Sequence, residues 1–134
     1  MIWWQNRILT NVKTLLGDSC KHVTSRRTNL LAQFPSCLVK VSLNNSFSDD
    51  LDNDRDEECA VYCGVTIEMY TRDSLESAMS LIAIVNTAMM RMGFRRTEGP
   101  FHIEEEVQPE LFRVLARYDR IIGSGDTIEK LTTE

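Results

Sequence analysis

Near its start the sequence spaces its hydrophobic residues at the period of an α-helix. Over residues 3–16 six side chains fall on one stripe at about 100° per residue: Trp4, Ile8, Leu9, Val12, Leu15 and Leu16. Gly17 and Asp18 follow, and a glycine just past the last apolar residue commonly ends a helix. The pattern predicts a helix over 3–16, with Trp3 projecting about 170° away from its apolar stripe.

Two later segments alternate in the manner of β-strands. In the first, one face carries Cys37, Val39, Val41 and Leu43. In the second, residues 59–70, one face carries Cys59, Val61, Cys63, Val65, Ile67 and Met69. The sequence predicts an antiparallel hairpin of these strands, joined by an acidic loop at 44–58 that has too few apolar residues to order. Residues 18–36, which are polar and basic, are predicted to be a connector with a short turn at 29–33.

A second helix is predicted from Asp73 to about Met92. Asp73 is a favourable N-cap, Glu76 completes a capping-box pattern, and Gly93 is expected to end the helix. Its apolar arc holds Leu75, Ala78, Met79, Leu81, Ile82, Val85, Met89 and Met92. The opposite arc is polar, with Ile84 in its middle.

The remaining sequence predicts two more strands. One begins at 94–96, breaks near Gly99-Pro100 and resumes over 101–107; the other spans 111–122. The last strand has an apolar face and a second face that carries Leu111, Arg113, Leu115, Arg117, Asp119 and Ile121. Ile128 and Leu131 are expected to add a short terminal piece. The fold class expected is α+β, a mixed, mainly antiparallel sheet of about four strands with two main helices in the order α-β-β-α-β-β.

Composition and charge fit one ordinary globular domain over 1–134. The chain has 134 residues, 43% hydrophobic and 26% charged, which excludes a large multidomain enzyme. Its net charge of −5 argues mildly against tight duplex DNA binding. The longest apolar run, 81–85, is far short of the roughly 20 residues of a membrane span. The start lacks the pattern of a secretion signal, so the cysteines are expected to be reduced.

Charge is distributed unevenly along the chain. Residues 1–40 are basic, whereas residues 41–58 carry seven acidic residues and one arginine. The alternating acids Asp50, Asp52, Asp54 and Asp56 resemble a calcium loop, but the glycine and glutamate that an EF-hand requires are missing. A solvated acidic loop is the preferred interpretation, with weak divalent-ion binding as the alternative.

Other candidate chemistry is sparse. Cys59-x-x-x-Cys63 lacks the second pair of a zinc site, and on a strand both thiols face the core. His102 stands near Glu104, Glu105 and Glu106 without enough ligands for a metal site. No nucleophile motif or glycine-rich phosphate loop is present. We therefore expect no enzyme, no cofactor and no catalytic or metal-ligating residue.

Five apolar residues interrupt the pattern expected of a monomer: Trp3, Ile84, Leu111, Leu115 and Ile121. The residues predicted to contact other proteins are Trp3, Ile84, Arg113, Leu115 and Arg117. Arginine suits carboxylates, which are plentiful in this chain. One alternative is that each arginine pairs with a carboxylate of its own chain. Another is that the first helix covers the second face of the sheet.

The order of these signals resembles one protein family. The segments that carry the likeness are Phe34-Pro35-x-x-Leu38-Val39-x-Val41, Glu57-Glu58-Cys59-Ala60-Val61-Tyr62, Ile67-x-Met69-Tyr70-Thr71, Met89-Met90-x-Met92-Gly93-Phe94-Arg95-Arg96 and Phe112-Arg113-x-x-x-Arg117-Tyr118-x-x-x-Ile122. Together, over about residues 3–130, the sequence resembles the tail terminator, or tail completion, proteins of long-tailed phages and prophages, often labelled minor capsid proteins in Gram-positive hosts. The four cysteines and the acid-rich loop depart from that family.

The resemblance implies a subunit of a homo-hexameric ring in the virion, assembled in the host cytoplasm. The ring would cap the head-proximal end of the tail tube, stop its growth and join the head connector. DNA would pass through an acidic bore without specific binding, and no membrane is involved. Scattered exposed apolar residues predict weak self-association. Alternatives are a head-closure or neck protein and, from another class, a small metal-binding module or enzyme using the acidic loop.

Limited proteolysis tests the loop prediction. Ordering a residue costs about 1–2 kcal/mol, which the composition of residues 44–58 cannot offset in the free subunit. We expect the first cuts within 44–58. First cuts in the 18–36 connector, with 44–58 intact, would contradict the assignment.

Overall fold

A computed structural model describes residues 2–25, 34–44, 60–104, 111–123 and 128–132. The elements in chain order are helix α1 (Ile2–Leu16), a short 3-10 turn (Gly17–Ser19), strands β1 (His22–Thr24), β2 (Ser36–Asn44) and β3 (Ala60–Thr71), helix α2 (Leu75–Arg91), and strands β4 (Arg95–Ile103) and β5 (Phe112–Gly123). This arrangement confirms the α+β class and both predicted helices. Most of the acidic loop, the turn at 29–33, Cys59 and the side chain of Trp3 lie outside the described residues.

The strands form one mixed sheet in the order β1-β2-β3-β5-β4. The predicted hairpin of β2 and β3 is confirmed, with Val39 opposite Ile67, and β5 pairs antiparallel with both β3 and β4. Strand β1 lies within the predicted connector 18–36 and pairs parallel to the start of β2. Three residues are too few to display alternation, so the sheet has five strands rather than about four.

Both helices pack on the same face of this sheet. Ile8, Val12 and Leu16 of α1 join one core with the apolar arc of α2 and the inward residues of the strands. Removing apolar surface from water contributes about 25 cal/mol per Å², so the burial of these side chains is the main driving force for folding. The alternative in which the first helix covers the second face of the sheet is therefore wrong.

The limits and faces of α2 differ slightly from those predicted. Ser74, not Asp73, is the N-cap: its Oγ accepts a hydrogen bond from the Ser77 N–H at 3.0 Å. Both residue types cap well, so the pattern alone left the start uncertain by one residue. Gly93 ends the helix with a φ of +84°, as predicted. Ile84 is half-buried against the core, whereas Met79 is exposed.

Strand β4 continues through Gly99-Pro100, where a break was predicted. The chain instead absorbs the irregularity as register shifts on either side of Glu98, as β-bulges do. The strand ends at Ile103, and most of the predicted extension towards Val107 lies outside the described residues. Gly99 has a φ of +78°, and a Cβ at this position would overlap the backbone oxygen of Leu115 and lie 3.1 Å from the Cα of Ala116.

The described cysteines, Cys20, Cys37 and Cys63, are buried and free. Burial raises the pKa of Cys20 and of Cys63 to about 11, and raises that of Cys37 as well. Protonated buried thiols behave as small apolar groups. Among the residues that the structure describes, no helix has both the length and the apolarity needed to cross a bilayer.

Replacing Gly99 with alanine should destabilise the fold. The new Cβ meets backbone that cannot move aside, and the positive φ adds a cost on the order of 1–3 kcal/mol. Gly17→Ala is the matched control, since Gly17 also has a positive φ, +53°, with no atom near its Cβ position. Urea unfolding should show a larger loss for Gly99→Ala. Equal losses would mean that the contact with Leu115 is unimportant.

Candidate interaction surface

The face of the sheet turned away from the helices, here called the outer face, carries the polar half of the alternation. Strand register aligns its side chains in three rows from β2 to β4: Ser42, Gly64, Asp119 and Arg95; Lys40, Thr66, Arg117 and Glu98; Leu38, Glu68, Leu115 and Phe101. Cross-strand neighbours of this kind are close enough for their side chains to interact directly.

Glu68 lies at the centre of the most buried part of this face. It is only 2% exposed, and its Oε1 accepts hydrogen bonds from Arg113 Nε at 2.7 Å and from the Tyr70 hydroxyl at 2.9 Å. A second Arg113 nitrogen also contacts Oε1, and Lys40 Nζ lies 3.7 Å from Oε2. The carboxylate is therefore held by two cations and a phenol.

The environment of Glu68 keeps it ionised. Burial alone raises the pKa of this carboxyl, but hydrogen bonds from Tyr70 and Arg113, together with the charges of Arg113 and Lys40, outweigh it and lower the pKa. A buried charge is tolerated only when paired and hydrogen-bonded in this way.

A second anion, Asp119, is held in the same manner. Its Oδ2 accepts the Tyr62 hydroxyl at 2.6 Å, and both its oxygens accept from the Arg95 guanidinium, at 3.2 and 3.3 Å. Hydrogen bonds from Tyr62 and Arg95 lower the pKa of Asp119, and the bond to Asp119 raises the pKa of Tyr62. Asp119 is therefore held as a carboxylate and Tyr62 as a neutral phenol near neutral pH.

Between these two anions the outer face forms an open depression of about 440 Å³. Gly64, which has no side chain, and Thr66 form part of its floor. Glu98 and Arg117 line one side and form an ion pair at 3.1 Å, each with its side chain 49% exposed. Ligand pockets usually enclose most of a small molecule, whereas this depression is broad and open.

Large apolar side chains surround the charged rows. Of the five exposed large hydrophobic residues that the described chain contains, Tyr62, Phe101 and Ile121 lie on the outer face. Phe101 is 42% and Ile121 50% exposed. Tyr62 and Ile121 are cross-strand partners, so they form one continuous apolar contact area at the end of the sheet.

The structure brings together three of the five predicted contact residues, Arg113, Leu115 and Arg117, on the outer face. Each arginine pairs with a carboxylate of its own chain, as the alternative held. Arg113 thereby belongs to the packing of the subunit, and Leu115 is nearly buried beside Phe101. Ile84 packs against the core on the other side of the sheet. Partner contact by these residues stays a prediction.

Sequence reasoning placed Asp119 on the same strand face as Arg113 and Arg117, but it did not name Asp119, Glu68, Tyr62 or Phe101 as a contact residue. A signal existed for Glu68 and Asp119, since each is an acid on a strand face that also carries an arginine on the neighbouring strand. No signal in the sequence identified Phe101, because the irregular register of β4 decides on which face of the sheet Phe101 lies.

The sequence matches no protein-family model, and no curated protein shows significant similarity to it. Within the described ranges, no group of three or more histidine, cysteine or acidic side chains is arranged to hold a metal ion.

Removing the charge of Arg113 should destabilise the subunit far more than removing that of Arg117. Arg113→Met leaves Glu68 buried without its main partner, a loss of about 3 kcal/mol for a broken buried pair. Arg117→Met breaks an exposed pair worth less than about 1 kcal/mol. Urea denaturation measures both. Adding Glu68→Met to Arg113→Met should recover most of the stability, and equal effects of the two single changes would contradict the assignment.

Proposed function

We propose that this protein is a structural subunit of a long-tailed phage, a tail terminator that forms a ring on the head-proximal end of the tail tube. Protein contact is supported by one observation. On the outer face, exposed Tyr62, Phe101 and Ile121 surround ion pairs already formed within the subunit. The family assignment comes from the order and spacing of the sequence segments that resemble such proteins.

The outer face is suited to burial against another protein. Its central charges, Glu68 and Asp119, are already desolvated and paired. A partner that covers the face therefore strips little water from these two carboxylates, which reduces the usual penalty for burying charge. The aromatic and arginine side chains present are those enriched at protein interfaces.

A ring places different patches of each subunit in contact, because its interfaces are head-to-tail. In the proposed assembly the outer face of one copy contacts a neighbouring copy. The completed ring stops tube growth and offers the joining surface for the head connector, at the head–tail junction of the virion. DNA passes through the bore, and no catalytic step is assigned to the protein.

Replacing one exposed residue on each side of the molecule tests the proposal. Ile121→Glu puts a charge in the centre of the apolar contact area and should weaken self-association and tail-tube binding at least about tenfold, the effect of roughly 1.4 kcal/mol. Met90→Glu is the matched control, because Met90 is similarly exposed (56%) but lies on α2. Light scattering after size exclusion, with and without the tail-tube protein encoded in the same genome, gives both affinities.

The opposite ranking of the two variants would place the interface on the helices. A wild-type chain that stays monomeric and does not bind tail tubes would contradict the proposed function. Electron microscopy of tubes polymerised with wild-type protein should show shorter tubes than those formed without it.

A further inference from the structure

The segment 128–132, here called the C-terminal segment, crosses from α1 to α2 on the helical side of the molecule. Ile128 is 2% exposed and Leu131 9%, and both side chains belong to the main core. The segment is not part of the sheet or of either helix. Its burial therefore depends on side chains of the two helices.

Those side chains bind the backbone of the segment. Arg7 donates to the carbonyl of Ile128 at 3.3 Å, and Arg91 donates to the carbonyl of Thr132 at 3.0 Å. Asn11 makes two bonds: its amide nitrogen donates to the Glu129 carbonyl at 2.8 Å, and its amide oxygen accepts from the Leu131 N–H at 2.9 Å.

Asn11 is the central contact. It is fully buried on the apolar face of α1, one turn from Ile8, where a polar residue is costly unless its hydrogen bonds are satisfied. Its two bonds to Glu129 and Leu131 satisfy both ends of the amide. The groove therefore holds this segment by two inserted apolar side chains and by hydrogen bonds to its backbone.

These contacts involve the segment alone and not its covalent link to β5. The same five residues from another copy offer identical atoms to the groove. We propose that neighbouring copies exchange their C-terminal segments, so that Ile128 and Leu131 of one copy fill the groove between α1 and α2 of the next. Exchange keeps every contact of the segment, which makes it a low-cost route to association.

The chain length limits where the receiving copy lies. Five peptide units join Gly123 to Ile128, and at roughly 3.3–3.6 Å per residue they span at most about 18 Å. The receiving groove must therefore lie next to the end of β5 of the donor. Exchanged segments add a second contact between copies that the outer face already brings together, and linked contacts of this kind strengthen one another.

Isotope-resolved cross-linking of the full chain tests this proposal without reference to phage tails. A photoreactive p-benzoylphenylalanine replaces Lys130, an exposed residue between the two that Asn11 binds. Light and heavy chains are mixed while dilute, concentrated until they associate, and irradiated. Exchange predicts that about half of the cross-links from the segment to α1 join a light chain to a heavy chain. Same-isotope links only, or a chain that never associates, would overturn the proposal.

Complementary variants provide a second measurement. Asn11→Leu damages the groove, and Leu131→Asp damages the segment. In a mixture, exchange predicts an excess of mixed pairs in native mass spectrometry, since only the segment of the first variant fits the groove of the second. Two variants that stay separate would contradict exchange, and the cross-linking result stands by itself if either variant fails to fold.

Exchange and the proposed function fail separately. Exchanged dimers that do not bind tail tubes would support exchange and contradict the proposed function. Rings that bind tubes but give only same-isotope cross-links would support the proposed function and contradict exchange.

Discussion

Both helices pack on one face of the sheet, so the central part of the other face is stabilised by its own side chains. The buried pair of Glu68 and Arg113 is the interaction on which this face most depends, because Glu68 is ionised and almost without solvent contact. Tyr70 and Lys40 complete its surroundings. Without these partners a carboxylate could not remain charged at that position.

The same constraint explains the character of the surface. A sheet face covered by helices would carry Val, Ile and Leu, as the inner face does, whereas this face carries charged rows bordered by Tyr62, Phe101 and Ile121. The charges are paired within the subunit, and the apolar side chains that border them are exposed. Stability of the single chain therefore depends on Glu68 and Arg113, whereas the proposed assembly depends on Ile121 and Phe101.

Periodicity predicted the parts of the fold that packing determines. The stripe of Ile8, Val12 and Leu16, the alternation of β2, β3 and β5, and the stop at Gly93 all follow from residue spacing. Strand β1 and the course of β4 could not be predicted, because β1 is too short to show a period and β4 depends on the backbone at Gly99. For the candidate site, the spacing of Arg113 and Arg117 indicated that both lie on one face of a strand. Their ion-pair partners depend on strand register, which a single sequence does not reveal.

We propose that copies of this protein first meet through the outer face of the sheet, and that the exchanged C-terminal segments add a second contact. Hydroxyl-radical footprinting across a range of protein concentrations tests it directly, since Met79 and Met90 are reactive and exposed on α2 while Tyr62 and Phe101 are reactive and exposed on the outer face. The account predicts that Tyr62 and Phe101 lose reactivity as the protein associates, with Met79 and Met90 unchanged. Protection of the two methionines, with Tyr62 and Phe101 still fully reactive, would contradict it.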